Sequence, residues 1–196
     1  MRLVCNINGS PFSLFVNTDK PLNRILEEEI STFPSNSRCL GSSCGNCVVL
    51  IDGVANLSCL LPAFKLNGTN IITFEGFRKT RFCHDIERAY SELGMAPCPT
   101  CYASKTLIIG SILTKAEKAE STSAQIPFSG SGGITQLTKV QNEHAAKHRS
   151  AIGRVSRDLI ESEIAISTCK CMELSELEKI VNLAYQIRSK RSVRRS

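Results

Sequence analysis

No stretch of the chain is apolar for the roughly 20 residues that a membrane helix needs. Its N-terminus, Met1-Arg2-Leu3-Val4-Cys5-Asn6, lacks the apolar core of a signal peptide. These absences make a cytoplasmic, reducing setting the expectation and leave no membrane partner. No Gly-rich nucleotide fingerprint and no nucleophile elbow occurs, so flavin or nicotinamide is not bound here through a standard motif. There is no internal repeat. The net charge is +6, and the last nine residues hold Arg188, Lys190, Arg191, Arg194 and Arg195 without an acid or an aromatic. A base-stacking surface needs rings, so nucleic acid is not an expected partner and the basic tail is expected to be solvated.

What the chain has is cysteine: ten in 196 residues. A hydrophobic content of 42% is enough for soluble cores, yet two small domains would each bury a modest one and benefit from a metal staple. In a reducing compartment, thiols serve as metal ligands more often than as disulfides.

The first 77 residues predict a small α+β domain. Leu3, Cys5 and Ile7 alternate with other residues, as do Phe12, Leu14 and Val16, and Asn8-Gly9 between them is a hairpin signal. Leu22, Ile25, Leu26 and Ile30 share one helix face behind Pro21. Val48 to Ile51 and Val54 to Leu57 form strands turned by Asp52-Gly53. Asn67-Gly68 precedes a last strand, Ile71 to Phe74. From 78 onward the spacing is helical. Phe82, Ile86, Ala89, Tyr90 and Leu93 make one stripe, and Thr106, Ile109, Leu113 and Ala116 another on a helix from Tyr102 to Ala119. A further helix is expected around Arg157 to Ile166. Ser175 with Glu178 reads as a capping box for a last helix carrying Leu177, Ile180, Val181, Ala184 and Ile187. Residues 120–150, rich in serine and glycine around 129–133, are expected to form a loop inserted in this helical domain.

Cys39, Cys44, Cys47 and Cys59 are spaced C-x4-C-x2-C-x11-C. The first three match the plant-type [2Fe–2S] ferredoxin spacing. Four thiolates concentrate negative charge, and a loop that turns backbone N–H groups inward must pass through positive φ, which Gly41 and Gly45 permit. Structural zinc usually takes paired short knuckles instead. Cys98 and Cys101 form a C-x2-C, and Cys169 and Cys171 a C-x-C. Spacing alone leaves this second group open between zinc and a second cluster, while a thioredoxin-type dithiol would need a βαβ setting.

Taken in order, the hairpin, the helix, C-x4-C-G-x-C and Leu57-Ser58-Cys59-Leu60-Leu61-Pro62-Ala63-Phe64 resemble the iron–sulfur subunit of xanthine dehydrogenase and related molybdenum hydroxylases. Ile72 to Phe77 is similar to the strand that closes that family's ferredoxin-like domain. The resemblance implies a β-grasp ferredoxin-like domain over 1–77 and a helical [2Fe–2S]-binding bundle over 78–196. It also implies two clusters: Cys39, Cys44, Cys47 and Cys59 for the first, and Cys98, Cys101, Cys169 and Cys171 for the second. FAD and molybdopterin would lie on separate partners, the molybdopterin on a large subunit, with electrons passing from pterin through both clusters to flavin. The resemblance implies no catalytic residue and no substrate pocket in this chain. The alternatives are a free-standing [2Fe–2S] carrier or sensor and a zinc-stabilised interaction module.

Two departures stand out. Where the family has Gln-Cys-Gly-x-Cys-Thr-Pro-Gly, this chain has Pro97-Cys98-Pro99-Thr100-Cys101-Tyr102-Ala103-Ser104, so the glutamine and glycines that meet the pterin are gone. Where the family has Cys-Arg-Cys-Thr-Gly-Tyr, Cys169-Lys170-Cys171-Met172-Glu173-Leu174 stands. The interval from Cys101 to Cys169 also exceeds the family's. Cys5 and Cys83 are expected to be buried, inert thiols. His144 and His148, one helical turn apart, are expected to be solvated rather than to bind metal, and His84 has no evident partner.

Overall fold

The structure is a computed structural model that describes residues 1–29, 44–123 and 154–193. It is α+β, with a five-stranded sheet in the order β2-β1-β5-β3-β4. Strand β1 (Arg2–Ile7) turns at Asn8 and Gly9, both at positive φ, into antiparallel β2 (Ser10–Phe15). Helix α1 (Leu22–Glu29) crosses to β3 (Val48–Ile51), which turns through Asp52 and Gly53 at positive φ into β4 (Val54–Leu57). Strand β5 (Asn70–Ile72) lies parallel to β1 and antiparallel to β3.

Alternation along a strand sends neighbouring side chains to opposite faces, and β3 uses both. Val49 joins Leu3, Ile7, Leu22, Ile25, Leu26 and Ile71 under α1. Val48 and Leu50 face the other way, into a core shared with the helices. That explains an apolar run with no polar position in β3.

The strand expected over Ile71 to Phe74 ends at Ile72. Asn8 breaks it: its side-chain oxygen accepts the Thr73 N–H at 2.9 Å, and Phe74–Phe77 coils into one helical turn, α2. Three helices follow the expected spacing. They are α3 (Arg81–Leu93), α4 (Tyr102–Ser123) and α5 (Arg157–Ile164), and the expected last helix, α6 (Leu174–Val193), makes a fourth. Thr80 caps α3 by accepting from the Cys83 N–H, and Gly94 ends it in the left-handed conformation. The expected Ser175–Glu178 box does not form. Glu176 reaches back to the Glu173 N–H at 2.9 Å, because the helix begins at Leu174, while Glu178 pairs with Arg157 on α5 at 3.1 Å.

Helix α4 is the axis of the second core. Every residue from Ser104 to Leu113 is buried, as expected of a helix surrounded by protein. Gly110 lets the Phe77 ring lie against it: a Cβ there would sit 2.7 Å from the ring. α4 continues through Ser123, into the segment expected to be a loop. The rest of that segment, with His144 and His148, lies outside the described residues, as do Ile30, Arg194 and Arg195.

The basic tail is not simply solvated. Arg188 makes a bidentate pair with Glu117 and lies 3.7 Å over the Phe82 ring, and Arg191 pairs with buried Asp85. These arginines fasten α6 to α3 and α4. His84 has a partner after all, half-exposed Glu87 at 3.3 Å. No described helix is long and apolar enough to cross a membrane.

Two outcomes follow. Gly110→Ala overpacks the contact with Phe77 and lowers unfolding stability by about 1–3 kcal/mol in urea titration. Cys83 is fully buried, and burial, with Glu87 nearby, raises its thiol to about 12 from an ordinary 9.0. The unfolded chain ionises first, so the stability due to neutral Cys83 is complete below about pH 9 and declines as pH rises toward 12. Cys83→Ala is expected to flatten that alkaline decline in thermal melts.

Candidate metal centre

The turn between α3 and α4 carries Cys98 and Cys101. It is closed by the Cys101 N–H donating to the Cys98 carbonyl at 3.1 Å. The second pair arrives from the turn between α5 and α6. Lys115 and Ser111 on α4 hold Glu163 of α5 at 2.6 and 3.4 Å, so the chain leaving α5 is delivered to the start of α4. There the Sγ atoms of Cys98, Cys101, Cys169 and Cys171 lie within 4.8 Å of one another. Their contacts are 3.1 Å for Cys98–Cys101, 3.2 Å for Cys101–Cys171 and 3.9 Å for Cys98–Cys169. None of the four is in a disulfide.

The environment suits thiolates. Cys98 N–H points at the Cys171 sulfur at 3.5 Å. Burial works against ionisation of Cys171, but the Cys98 N–H, the neighbouring thiols and Lys105 bring it down to about 6. Cys98 is lowered chiefly by the Cys101 thiol. Cys101 is raised, by burial first and by its thiol neighbours next. The set therefore shares protons, and a positive ion or cluster that displaces them fits it.

A four-thiol donor set accepts either a two-iron cluster or zinc. The Sγ contacts of 3.1, 3.2 and 3.9 Å lie at or below the tetrahedral edge around one ion, about 3.8 Å for a Zn–S bond of about 2.3 Å. A bridged iron pair needs them further apart; Cys169 and Cys171 lie half-exposed and exposed on a turn rather than within a helix. The site fits an iron–sulfur group on donor chemistry.

Of the first group, Cys39 lies outside the described residues. Cys47 is buried, and Cys44 and Cys59 are half-buried. Val48 pairs with Leu57 in the β3–β4 hairpin, and the Ser58 N–H and Oγ both donate to the Cys47 carbonyl, at 2.9 and 2.8 Å. Cys47 and Cys59 thus leave the same end of one hairpin. The two groups also adjoin: Thr168, next to Cys169, donates its hydroxyl to the Cys44 carbonyl at 3.2 Å. Gly45, at φ +70°, lies so close that a Cβ would be 2.6 Å from the Ile166 carbonyl oxygen. Cys5 and Cys83 are buried in the two cores.

One residue of the site is absent from the sequence-based expectations. Lys105, in the first turn of α4, is 1% exposed and donates to the Cys169 carbonyl at 2.9 Å and the Cys171 sulfur at 3.4 Å. Its spacing of four from Cys101 places it on the same helix face, a signal that a search for apolar stripes passes over.

No family profile matches the chain. Among curated proteins, it is similar to the xanthine dehydrogenase iron–sulfur-binding subunit of Escherichia coli O157:H7. The two are 31% identical over 141 residues, 72% of this chain and 88% of that subunit. It is also similar to one subunit of the nicotinate dehydrogenase of Pseudomonas putida, 34% identical over 95 residues, covering 48% of this chain and 60% of that one. Among solved structures, the aldehyde oxidoreductase from Desulfovibrio desulfuricans superposes with a TM-score of 0.65 at 16% identity over 96% of this chain. The present chain spans 17% of that enzyme's length.

The contact between the two cysteine loops is testable. Gly45→Ala combines an unfavourable positive φ with a backbone clash. It is expected to cost about 1–3 kcal/mol and to lower the bound iron and labile sulfide per chain, assayed against the parent protein.

Proposed function

Because the chain belongs to the family of xanthine dehydrogenase iron–sulfur-binding subunits, we propose that it is the electron-transfer subunit of a molybdenum hydroxylase and carries two [2Fe–2S] clusters. The gathering of Cys98, Cys101, Cys169 and Cys171 at one point carries the reading. These four hold one cluster, within a helical bundle over 78–196. Cys39, Cys44, Cys47 and Cys59 hold the other, in a β-grasp ferredoxin-like domain over 1–77 of a cytoplasmic protein. Bound clusters supply one-electron acceptor sites.

The chain's own residues hold the thiolates, exclude water from Cys101 and Cys47, and keep the two loops in register through Thr168 and Cys44. A large molybdopterin-binding subunit faces the exposed Cys171 side, where electrons enter. An FAD-binding subunit covers the opposite exit beside Cys59. Leu60 and Phe64, 72% and 55% exposed, flank that cysteine, and exposed apolar groups beside a redox centre favour a covered surface. Substrate oxidation takes place in the partner.

Anaerobically purified protein is expected to contain iron and acid-labile sulfide in equal amounts and two reduced-state paramagnetic resonance signals. Cys44→Ser removes one signal and Cys101→Ser the other. Zinc in place of iron, without sulfide, would sink the reading in favour of a zinc module. In the cell the chain should co-purify with molybdenum; recovery of a cluster-loaded chain alone would favour a free-standing carrier. Leu60→Glu with Phe64→Glu is expected to release the flavin subunit while leaving both signals intact.

A further inference from the structure

We infer that Lys105 is a positioning residue that holds a positive charge against the sulfur ligands of the second cysteine group and raises the reduction potential of the cluster bound there. The inference rests on the cluster reading above and adds a residue to it.

Side chains on a helix lean toward its N-terminus. From the fourth position after Cys101, the Lys105 chain therefore runs back along α4 to the level of the thiols. Its backbone N–H closes the first turn on the Cys101 carbonyl at 2.9 Å. Its ammonium bridges the two residues of the C-x-C turn, donating to the Cys169 carbonyl and to the Cys171 sulfur. The side chain is among the most completely buried in the protein. A buried ammonium is costly without compensating negative charge, and among the described residues no carboxylate pairs with Lys105. The thiolates are the charge it faces.

Reduction adds one electron to the iron pair, taking one ferric iron to ferrous, with no bond made or broken. In solution dithionite supplies that electron. The added negative charge is attracted by a fixed ammonium a hydrogen bond away from a ligand sulfur, so the reduced form gains more than the oxidised one. Low local dielectric strengthens the effect. The Cys98 N–H, directed at the Cys171 sulfur at 3.5 Å, acts in the same direction.

The test is a dithionite potentiometric titration of the full chain, monitored by the resonance signal that Cys101→Ser abolishes. Lys105→Met, similar in length and uncharged, is expected to lower the reduced-to-oxidised ratio at fixed potential by about tenfold or more, or about 59 mV per tenfold for one electron. Lys105→Arg, which keeps the charge, stays within about threefold of the parent. The other cluster's potential is unmoved in both. An unchanged or raised potential in Lys105→Met overturns the inference. Should Lys105→Met fail to assemble, the parent protein labelled with 15N only at lysine Nζ decides. Pulsed resonance on the reduced signal should detect that nitrogen, and its absence overturns the inference. If the parent protein has no iron and sulfide at this site, the cluster reading itself has failed, an outcome distinct from either result.

Discussion

Bringing four thiols together is the constraint that organises this molecule. Thiolates repel, and four of them within 4.8 Å remain together only when two rigid backbone segments are forced to meet and donors are aimed at the sulfurs. Helix α4 does the forcing. Its middle is surrounded by protein, so its first turn has a fixed place, and Glu163 clamps α5 beside it. The Cys169–Cys171 turn has nowhere else to go. The ion pairs that tie α6 to α3 and α4, Arg191 with Asp85 and Arg188 with Glu117, close the bundle at its far end.

The sheet reaches the same centre from the other side. Because β3 buries side chains on both faces, one strand belongs to the core under α1 and to the core around α4. The Ser111 hydroxyl of α4 accepts the Ala55 N–H at 3.0 Å, so α4 is bonded to the hairpin from which Cys47 and Cys59 emerge. The cysteine loops meet at Thr168 and Gly45 as a result of this packing. Shifting the sheet against α4 would therefore change the spacing between the two cysteine groups.

Much of this is legible in the chain. The Asn8-Gly9 and Asp52-Gly53 turns are local chemistry: both asparagine-or-aspartate and glycine sit at positive φ as such pairs favour. The stripe on α3 is visible because one face of that helix is exposed. What fails to show are tertiary effects. Ile71 to Phe74 has strand composition throughout, and only Asn8, far away in sequence, stops the strand at Ile72. Lys105 is a charged residue inside a helix buried on all sides, where propensity carries no information. Arg188 and Arg191 look like a solvated tail until Glu117 and Asp85 are brought to them. The first cysteine group is an expectation from spacing, and its Cys39 lies outside the described residues.

The departures around Cys98 have a physical consequence for the outward face of the centre. Proline has no N–H, so residues 97 and 99 offer no donor from the turn, and the Cys98 N–H is already directed at the Cys171 sulfur. Pro97 is buried, while Pro99 and Thr100 are exposed. Glycines in that turn would leave a backbone able to approach a ligand closely; two prolines make it stiff, and Pro99 presents its ring outward. The donors of this turn are therefore reduced to the N–H and hydroxyl of Thr100, with no N–H from positions 97 and 99. A partner built to take N–H donors from positions 97 and 99 would leave those acceptors unpaired, at a cost of about 1–3 kcal/mol for each one buried. A partner that fits this chain asks for no N–H donor at positions 97 and 99.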